Sequence, residues 1–134
     1  MIEYEELRAN IDRYLMERFK YRKSLALLTV DNIITTRRNS RVDLYLRIRR
    51  IKSRFPPDCL IIARLSFTKE WVGHGTHFLQ FLTEVARKHG FNHIGIECAN
   101  DKSSALAKKL GFYSIDSKNY AIAASNLISY FSME

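Results

Sequence analysis

The segment that most constrains the fold joins an apolar strand to a long helix through a short loop with two glycines. The strand, CLIIARLSF at 59–67, is apolar along most of its length, which is typical of a central strand. The helix is predicted over 74–89, and the loop holds Gly73 and Gly75. Glycines at the mouth of a helix let the backbone approach another group closely, so the loop is a candidate site. The buried face of the helix is predicted to carry Phe78, Leu79, Leu82, Val85, Ala86 and His89.

The rest of the chain predicts the order of the other elements. Residues 3–19 form a helix, because Leu7, Ile11 and Leu15 recur at four-residue spacing. Strands are predicted at 24–30, 32–38, 41–51, 93–98, 112–116 and 120–124, and a short helix at 102–110, while the tail at 125–131 suits either a strand or a helix. Hairpins followed by a strand–helix–strand unit predict an α/β (mixed α+β) fold, with a mostly antiparallel twisted sheet and helices on both faces. We expect one domain over 1–134.

Composition excludes several classes of protein. Hydrophobic residues make up 46% of the chain and charged residues 27%, as in ordinary folded domains. No apolar run approaches the roughly 18 residues that a membrane helix needs. The acidic, polar N-terminus is not typical of a secretory signal. Cys59 and Cys98 have no paired spacing, which argues against a metal site and for a reducing compartment. We expect a cytoplasmic protein that binds neither a membrane nor a metal.

The net charge of +8 is concentrated in residues 35–55. In this segment Leu44, Leu46 and Ile48 alternate with polar residues, as in a half-buried strand. Two interpretations stay open, a solvated strand face and a patch for nucleic acid or an acidic partner. The arginines of the patch would be Arg37, Arg38, Arg41, Arg47, Arg49 and Arg50.

The loop with two glycines could hold an anion. The first N–H groups of a helix lack partners within the helix, and the helix dipole adds a partial positive charge. A plain turn is the simpler alternative. A P-loop is excluded because Thr76 and His77 stand where Lys and then Ser or Thr are required. A dinucleotide fingerprint lacks its third glycine, since Phe78 occupies that position.

A third phosphate-binding loop fits better. Glu70-Trp71-Val72-Gly73-His74-Gly75 is followed by the helix, the strand HIGIEC, Asn100, a short helix and Leu110-Gly111-Phe112. Over about residues 59–116 this arrangement resembles the GNAT acetyltransferase superfamily, whose Arg/Gln-x-x-Gly-x-Gly/Ala loop lies between a central strand and a long helix.

The resemblance implies a splayed pair of central strands with acetyl-CoA between them. The pantetheine amides would bond the backbone of the central strand, the pyrophosphate would lie on the loop amides, and the asparagine after the next strand would hold the pantetheine arm. The implied contacts are Leu65, Ser66 and Phe67 for the strand, Val72, Gly73, His74, Gly75 and Thr76 for the loop, and Asn100.

The chain departs from the family pattern at two positions. Glu70 stands where the family prefers Arg or Gln, and Ala107 stands where a tyrosine often protonates the departing thiolate. Tyr113 is the candidate replacement for the proton donor. Asp58, at the start of the central strand, and Glu97, at the end of the neighbouring strand, are the candidate general bases.

These observations predict an acetyltransferase that moves an acetyl group from acetyl-CoA to a primary amine on a small molecule, a protein or an aminoacyl-tRNA. The alternatives are a GNAT-like protein that binds CoA without catalysis and a nucleic-acid-binding module that uses the basic segment. A homodimer is an open alternative to a monomer.

Overall fold

The computed structural model describes residues 4–48, 54–69, 73–97 and 100–132. Within these residues the chain forms four helices and seven strands. In chain order they are α1 (Glu5–Phe19), β1 (Ala26–Leu28), β2 (Ile33–Thr36), β3 (Val42–Ile48), β4 (Cys59–Phe67), α2 (His74–Lys88), β5 (His93–Ile96), α3 (Asp101–Leu110), β6 (Tyr113–Ser114), β7 (Tyr120–Ala123) and α4 (Ala124–Ser132). None of the helices in the described ranges is long and apolar enough to cross a membrane.

The strands form one mixed, mostly antiparallel sheet, so the predicted fold class is confirmed. Their order is β1-β2-β3-β4-β5-β7-β6, and only β4 and β5 pair in parallel among the described strands. A parallel pair requires a crossover, and α2 supplies it. The pairing of β3 with β4 shifts register between Tyr45 and Leu46, which inserts a bulge at the middle of the central strand.

The main core lies between the sheet and the helices. Its members include Leu44, Leu60 and Ile94 from the strands and Phe78 from α2, all fully buried. Burying a side chain of this size stabilises the fold by about 2–3 kcal/mol. A smaller cluster of Phe55, Cys59, Ile61 and Ala121, with Ile115 beside it, lies on the opposite face of β4, β5 and β7.

Three of the helices, α1, α2 and α4, pack together over the main core. The reason is visible in β3, where Val42, Leu44, Leu46 and Ile48 are buried on the helical side. The alternating residues Asp43, Tyr45 and Arg47 are polar and half-exposed, so that face of β3 offers little apolar surface to a helix.

Local turns explain where the predicted strands are too long. The strands predicted at 24–30 and 32–38 shorten to β1 and β2, because Thr29 Oγ1 accepts bonds from the backbone N–H of Asp31 and Ile33 and closes a hairpin turn. The strand predicted at 112–116 shortens to β6, because Asp116 Oδ1 accepts from the backbone N–H of Lys118 and Asn119. The strand predicted at 93–98 ends at Ile96. Residues 49–51 of another predicted strand lie outside the described residues.

The two main helices largely follow the predicted pattern. Leu7, Ile11 and Leu15 are buried in α1, and β4 has the predicted bounds. In α2 the expected buried face is present except for His89, which ends the helix half-buried, 3.1 Å from Asn10 Nδ2. The tail forms a helix, α4.

Candidate active site

A cleft opens where β4 and β5 diverge. The two strands pair from Cys59 opposite His93 to Ile62 opposite Ile96, and Glu97 N–H then donates to Ile62 O at 2.9 Å. Beyond this point the pairing of β4 that the described residues show is with β3. The cleft has a volume of about 970 Å³. It is lined by Leu65, Ser66, Phe67, Thr68, Gly75, Asn100, Asp101, Lys102 and Ser103.

The backbone of β4 turns polar groups toward this cleft at alternate residues. Threonine side chains of β2 bond the N–H and C=O of Leu44, so those groups point away from β4. Leu65 lies opposite Leu44, and both members of such an antiparallel pair point outward. The N–H and C=O of Leu65, and by alternation those of Phe67, therefore face the cleft. Thr68 N–H points the other way and bonds Arg41 O at 3.1 Å.

The N-terminus of α2 lies at the same cleft. Its N-cap, Gly73, has φ +75°, a left-handed conformation that favours glycine. Among the described residues no side chain caps this end, and the first turn has no acidic residue. Gly75 lines the cleft, and a Cβ at that position would lie 3.6 Å from Leu106 Cδ2 on α3. Exposed helix N–H groups and the positive end of the dipole favour an anion here.

The opposite wall of the cleft is the first turn of α3. Asn100 Oδ1 accepts from Ser103 N–H at 2.9 Å and caps this helix. The cap places Asp101 and Lys102 on the cleft as well. Our sequence prediction of site residues missed Asp101, Lys102 and Ser103. The capping asparagine could have indicated these three residues, because a capping residue and the first turn of its helix lie at the same edge of the sheet.

The structure therefore brings together five residues predicted to contact the cofactor, Leu65, Ser66, Phe67, Gly75 and Asn100. Of the other predicted contacts, Gly73 and Thr76 flank Gly75 and are exposed at the start of α2, His74 is half-buried between them, and Val72 lies outside the described residues.

Comparison with known proteins finds similarity in structure alone. No protein-family model and no curated protein sequence matches the chain. A solved structure of KacTA in complex with DNA has a TM-score of 0.51 at 16% identity, over 94% of this chain and 86% of that one. AtaTR bound with AcCoA has a TM-score of 0.51 at 15% identity, over 87% and 76% of the two chains. A protein of Staphylococcus aureus Mu50 assigned as an acetyltransferase has a TM-score of 0.51 at 18% identity, over 91% and 86%.

The chain has a GNAT fold. The likeness extends over most of each chain, and the diverging β4 and β5 strands that the GNAT resemblance implied are present.

Within this GNAT fold, Glu97 lies at the point where the cleft opens. Its carboxylate accepts a bond from Arg47 Nε at 3.0 Å, across the face of the sheet opposite the helices. The Arg47 guanidinium also lies 5.1 Å from the centre of the Tyr45 ring. Arg64, on β4, stacks on the same ring and pairs with Asp43 at 2.6 Å. Of the two predicted general bases, Glu97 is the one that follows the last pair of β4 with β5, and its side chain is not among those that line the cleft.

The other two catalytic candidates lie elsewhere. Asp58 stands at the opposite end of β4, roughly 30 Å of extended strand from Phe67. Its carboxylate lies 2.9 Å from His93 Nδ1. Burial pushes the pKa of Asp58 upward, but the bonds from His93 and Asn92 outweigh it and lower the pKa below its usual range.

Tyr113 lies on β6, at the edge of the sheet, and is 51% exposed. It pairs with Ala121, whereas Tyr120 lies opposite Ile96, at the level where the cleft opens. Ala107 is fully buried, and its carbonyl accepts a bond from Phe112 N–H, so this position contributes packing alone. Glu70 lies outside the described residues.

The described arginines of the basic segment differ in their contacts. Arg47 is paired with Glu97, and Arg41 Nη1 donates to Phe19 O at 2.5 Å at the end of α1. Arg37 and Arg38 are exposed in the loop between β2 and β3. Arg49 and Arg50 lie outside the described residues.

Proposed function

We propose that the chain is an acetyltransferase that moves an acetyl group from acetyl-CoA to a primary amine. The observation that carries the proposal is a single cleft that combines the outward-facing backbone groups of Leu65 and Phe67 with the N-terminus of α2 at Gly73. Pantetheine is an extended chain with two amides, and it would bond β4 as an added strand does. The diphosphate of CoA would lie on the loop and helix N–H groups at 72–76.

The residues fit this cofactor in shape and charge. The space beside β4 is large enough for an extended ligand, and Gly75 keeps side-chain atoms away from the position of the diphosphate. Asn100 uses its side-chain carbonyl to cap α3, so its NH₂ group is the one that would donate to the pantetheine arm. AtaTR, a protein of similar fold, has been solved with AcCoA bound. A cytoplasmic location, where acetyl-CoA is available, is part of the proposal.

In the proposed reaction the amine nitrogen attacks the thioester carbonyl carbon and the carbon–sulfur bond breaks. The amine loses one proton and the departing thiolate gains one. The N–H of Leu65 would stabilise the negative charge that develops on the carbonyl oxygen. Holding the amine and the thioester in register supplies much of the rate in such transfers. The acceptor would be an amine on a small molecule, a protein or an aminoacyl-tRNA.

Glu97 is the proposed general base. A protonated amine cannot attack, and the Glu97 carboxylate, which pairs with Arg47, would accept the proton directly or through a water molecule. Asp58 and Tyr113 have no part in the proposed step, because Asp58 stands at the opposite end of β4 and Tyr113 lies on the edge strand β6. Since Ala107 has no proton to give, the thiolate would be protonated by water.

The test has two parts. Calorimetry with acetyl-CoA should show one binding site per chain, and release of free CoA thiol in the presence of a panel of primary amines should show turnover. Absence of binding at ~1 mM acetyl-CoA would refute the proposal. Binding without turnover on any amine would favour the second candidate, a GNAT-fold protein that binds CoA and has lost catalysis. Its motivation is the buried Ala107, which stands where the family often has a proton-donating tyrosine.

A further inference from the structure

A second cleft, which we call the basic cleft, adjoins the first. It has a volume of about 590 Å³ and is formed by the end of α1, the residues before β3, the two residues that follow β4 and the first residue of α2. It is lined by Arg18, Phe19, Lys20, Ser40, Arg41, Thr68, Lys69 and His74. Four of these eight residues are cations and none is acidic, so the basic cleft concentrates positive charge.

The contacts of the basic cleft fix some of its cations in place. Arg18 Nε donates to His74 Nδ1 at 3.0 Å, and Arg41 is held by the carbonyl of Phe19. Tyr14 holds α1 against α2, since its hydroxyl lies 2.7 Å from His77 Nδ1 and its ring stacks on Phe81 at 4.1 Å. Burial raises the pKa of Tyr14 to about 12, so the hydroxyl stays protonated at neutral pH.

His74 lies close to these cations. Burial makes the largest contribution to the lowered pKa of its ring, and the charges of Arg18, His77 and Lys69 lower the pKa further. Its ring packs 4.8 Å from Phe19 and 5.1 Å from Phe67, between centroids. Within the described part of the chain, no carboxylate pairs with Arg18, Lys20, Arg41 or Lys69. Four cations held together without a described counter-charge form a site that suits a multiply charged anion.

The two clefts meet at the start of α2. Thr68 lines both, while Gly75 lines the first and its neighbour His74 lines the second. Thr68 is fixed by a bond from its hydroxyl to Ser40 O. A ligand that runs along β4 and passes the N-terminus of α2 with its diphosphate would therefore deliver its far end to the basic cleft.

We infer that the basic cleft binds the 3′-phosphate of the nucleotide end of CoA. The inference rests on the proposed function, because it needs the pantetheine and the diphosphate in the first cleft. A phosphate monoester is compact and doubly charged, and hydrogen bonds between charged groups are about twice as strong as neutral ones. Lys69 and Arg18 are the residues assigned to it, since both line the basic cleft with His74, the neighbour of Gly75 in the first cleft.

The experiment compares CoA with 3′-dephospho-CoA by calorimetry. Wild-type protein should bind CoA about tenfold or more tightly, as expected for a charged hydrogen bond. Lys69→Ala should remove most of this preference, and Lys69→Glu should reverse it, while both variants bind 3′-dephospho-CoA as wild type does. Lys88→Glu, at the far end of α2 and outside both clefts, is the control and should keep the full preference.

A second readout does not depend on affinity. The His74 ring should titrate at higher pH with CoA bound than with 3′-dephospho-CoA bound, because a nearby anion favours the imidazolium. Proton NMR of the histidine ring resonances would measure this. Arg18→Lys keeps the charge and loses the bond from Nε to His74, so it should preserve most of the preference.

Two results would overturn the inference and leave the proposed function standing. One is equal affinity of the wild-type protein for CoA and 3′-dephospho-CoA. The other is a Lys69→Ala variant that weakens both ligands equally or changes only the KM of the amine acceptor, as a site for acceptor phosphates would. Failure of both ligands to bind wild-type protein would instead refute the proposed function, and the inference with it.

Discussion

Asp12 links α1 to the first strand of the sheet. It is 8% exposed, and its Oδ1 accepts from the backbone N–H of Leu25 at 2.7 Å and of Ala26 at 2.8 Å. Arg8 lies 3.5 Å from the same carboxylate. A buried carboxylate with these partners satisfies two backbone N–H groups that would otherwise lack an acceptor at the start of β1.

We predict that Asp12→Ala lowers the free energy of unfolding by about 2–4 kcal/mol, because it leaves two buried N–H groups without an acceptor. Urea denaturation measures this, with Glu6→Ala, exposed on the same helix, as the control. Burial raises the pKa of Asp12, but the bonds from Ala26, Leu25 and Ser24 and the charge of Arg8 lower it overall. The stabilisation is therefore present above the unfolded-state pKa and is lost as pH falls through the folded-state pKa. A variant whose stability deficit persists unchanged at pH 2 would contradict this.

Glu97 carries the second prediction at this scale. We expect Glu97→Gln to lower kcat by about 100-fold or more at neutral pH, because the amide cannot accept the proton of the amine. Asp58→Asn makes the same chemical change at the far end of β4 and should leave kcat within about twofold. Arg47→Ala distinguishes a proton-accepting role of Glu97 from a purely structural one. If Glu97 serves only to pair with Arg47, Arg47→Ala and Glu97→Gln should lose the same activity, and both should keep the wild-type pH–rate profile. That result would exclude Glu97 as the general base.

At the scale of elements, β4 is paired on both sides in its first half and on one side in its second half. We predict that the amide protons of Leu65 and Phe67 exchange rapidly in the free protein and become protected when acetyl-CoA is added. The amide of Thr68, which already bonds Arg41 O, should change much less. Hydrogen exchange followed by NMR measures each position. Protection that spreads evenly over β4, or that fails to appear at Leu65, would argue against a ligand bonded along the strand.

The start of α2 carries a prediction of its own. Gly75→Val should weaken acetyl-CoA binding by about tenfold or more, because a branched side chain would fill the space at the cleft where the helix N–H groups must be approached. Its effect on stability should be small, since valine is tolerated in a helix about as well as glycine or better. Gln80→Val introduces the same side chain at an exposed position of the same helix and serves as control. Equal affinities for the two variants would place the diphosphate elsewhere.

Element positions were predictable where the signal was local. The bounds of β4 and the ends of α2 follow from an apolar run, a glycine loop and a basic last turn, all visible within about 30 residues. The asparagine cap of α3 was predictable for the same reason. The helix at 124–132 was not predictable, because its apolar residues follow neither the helical nor the strand period clearly. The packing of Leu127 in the core favours the helix.

Contacts distant in sequence could not be predicted. The bond from Arg41 to Phe19, the pair between Arg47 and Glu97 and the bond from Arg18 to His74 depend on how β3, β5 and α1 meet. These contacts divide the basic segment into paired and exposed arginines and create the basic cleft. The cleft along β4, in contrast, was predictable in outline, since the GNAT resemblance carried by Gly73, Asn100 and Gly111 implied it.

At the scale of the whole molecule, the excess of positive charge predicts weak binding to nucleic acid. Arg37 and Arg38 are exposed and together should contribute a slope of about −2 in log K against log salt for duplex DNA. Fluorescence anisotropy over a range of salt concentrations measures this slope. The double variant Arg37→Ala, Arg38→Ala should flatten it, whereas Arg13→Ala, exposed on α1, should not. An unchanged slope in the double variant would exclude this loop as the contact.

The divergence of β4 and β5 has a consequence for the free protein. It leaves an unfinished edge inside a sheet, and an extended segment from another chain can add to such an edge as readily as pantetheine can. The proposed cofactor would then protect the protein as well as serve as its substrate, because bound acetyl-CoA would block the exposed edge of β4 from pairing with segments of other chains. Cells short of acetyl-CoA would hold this protein in its most aggregation-prone form, and light scattering during incubation with and without CoA would reveal the difference.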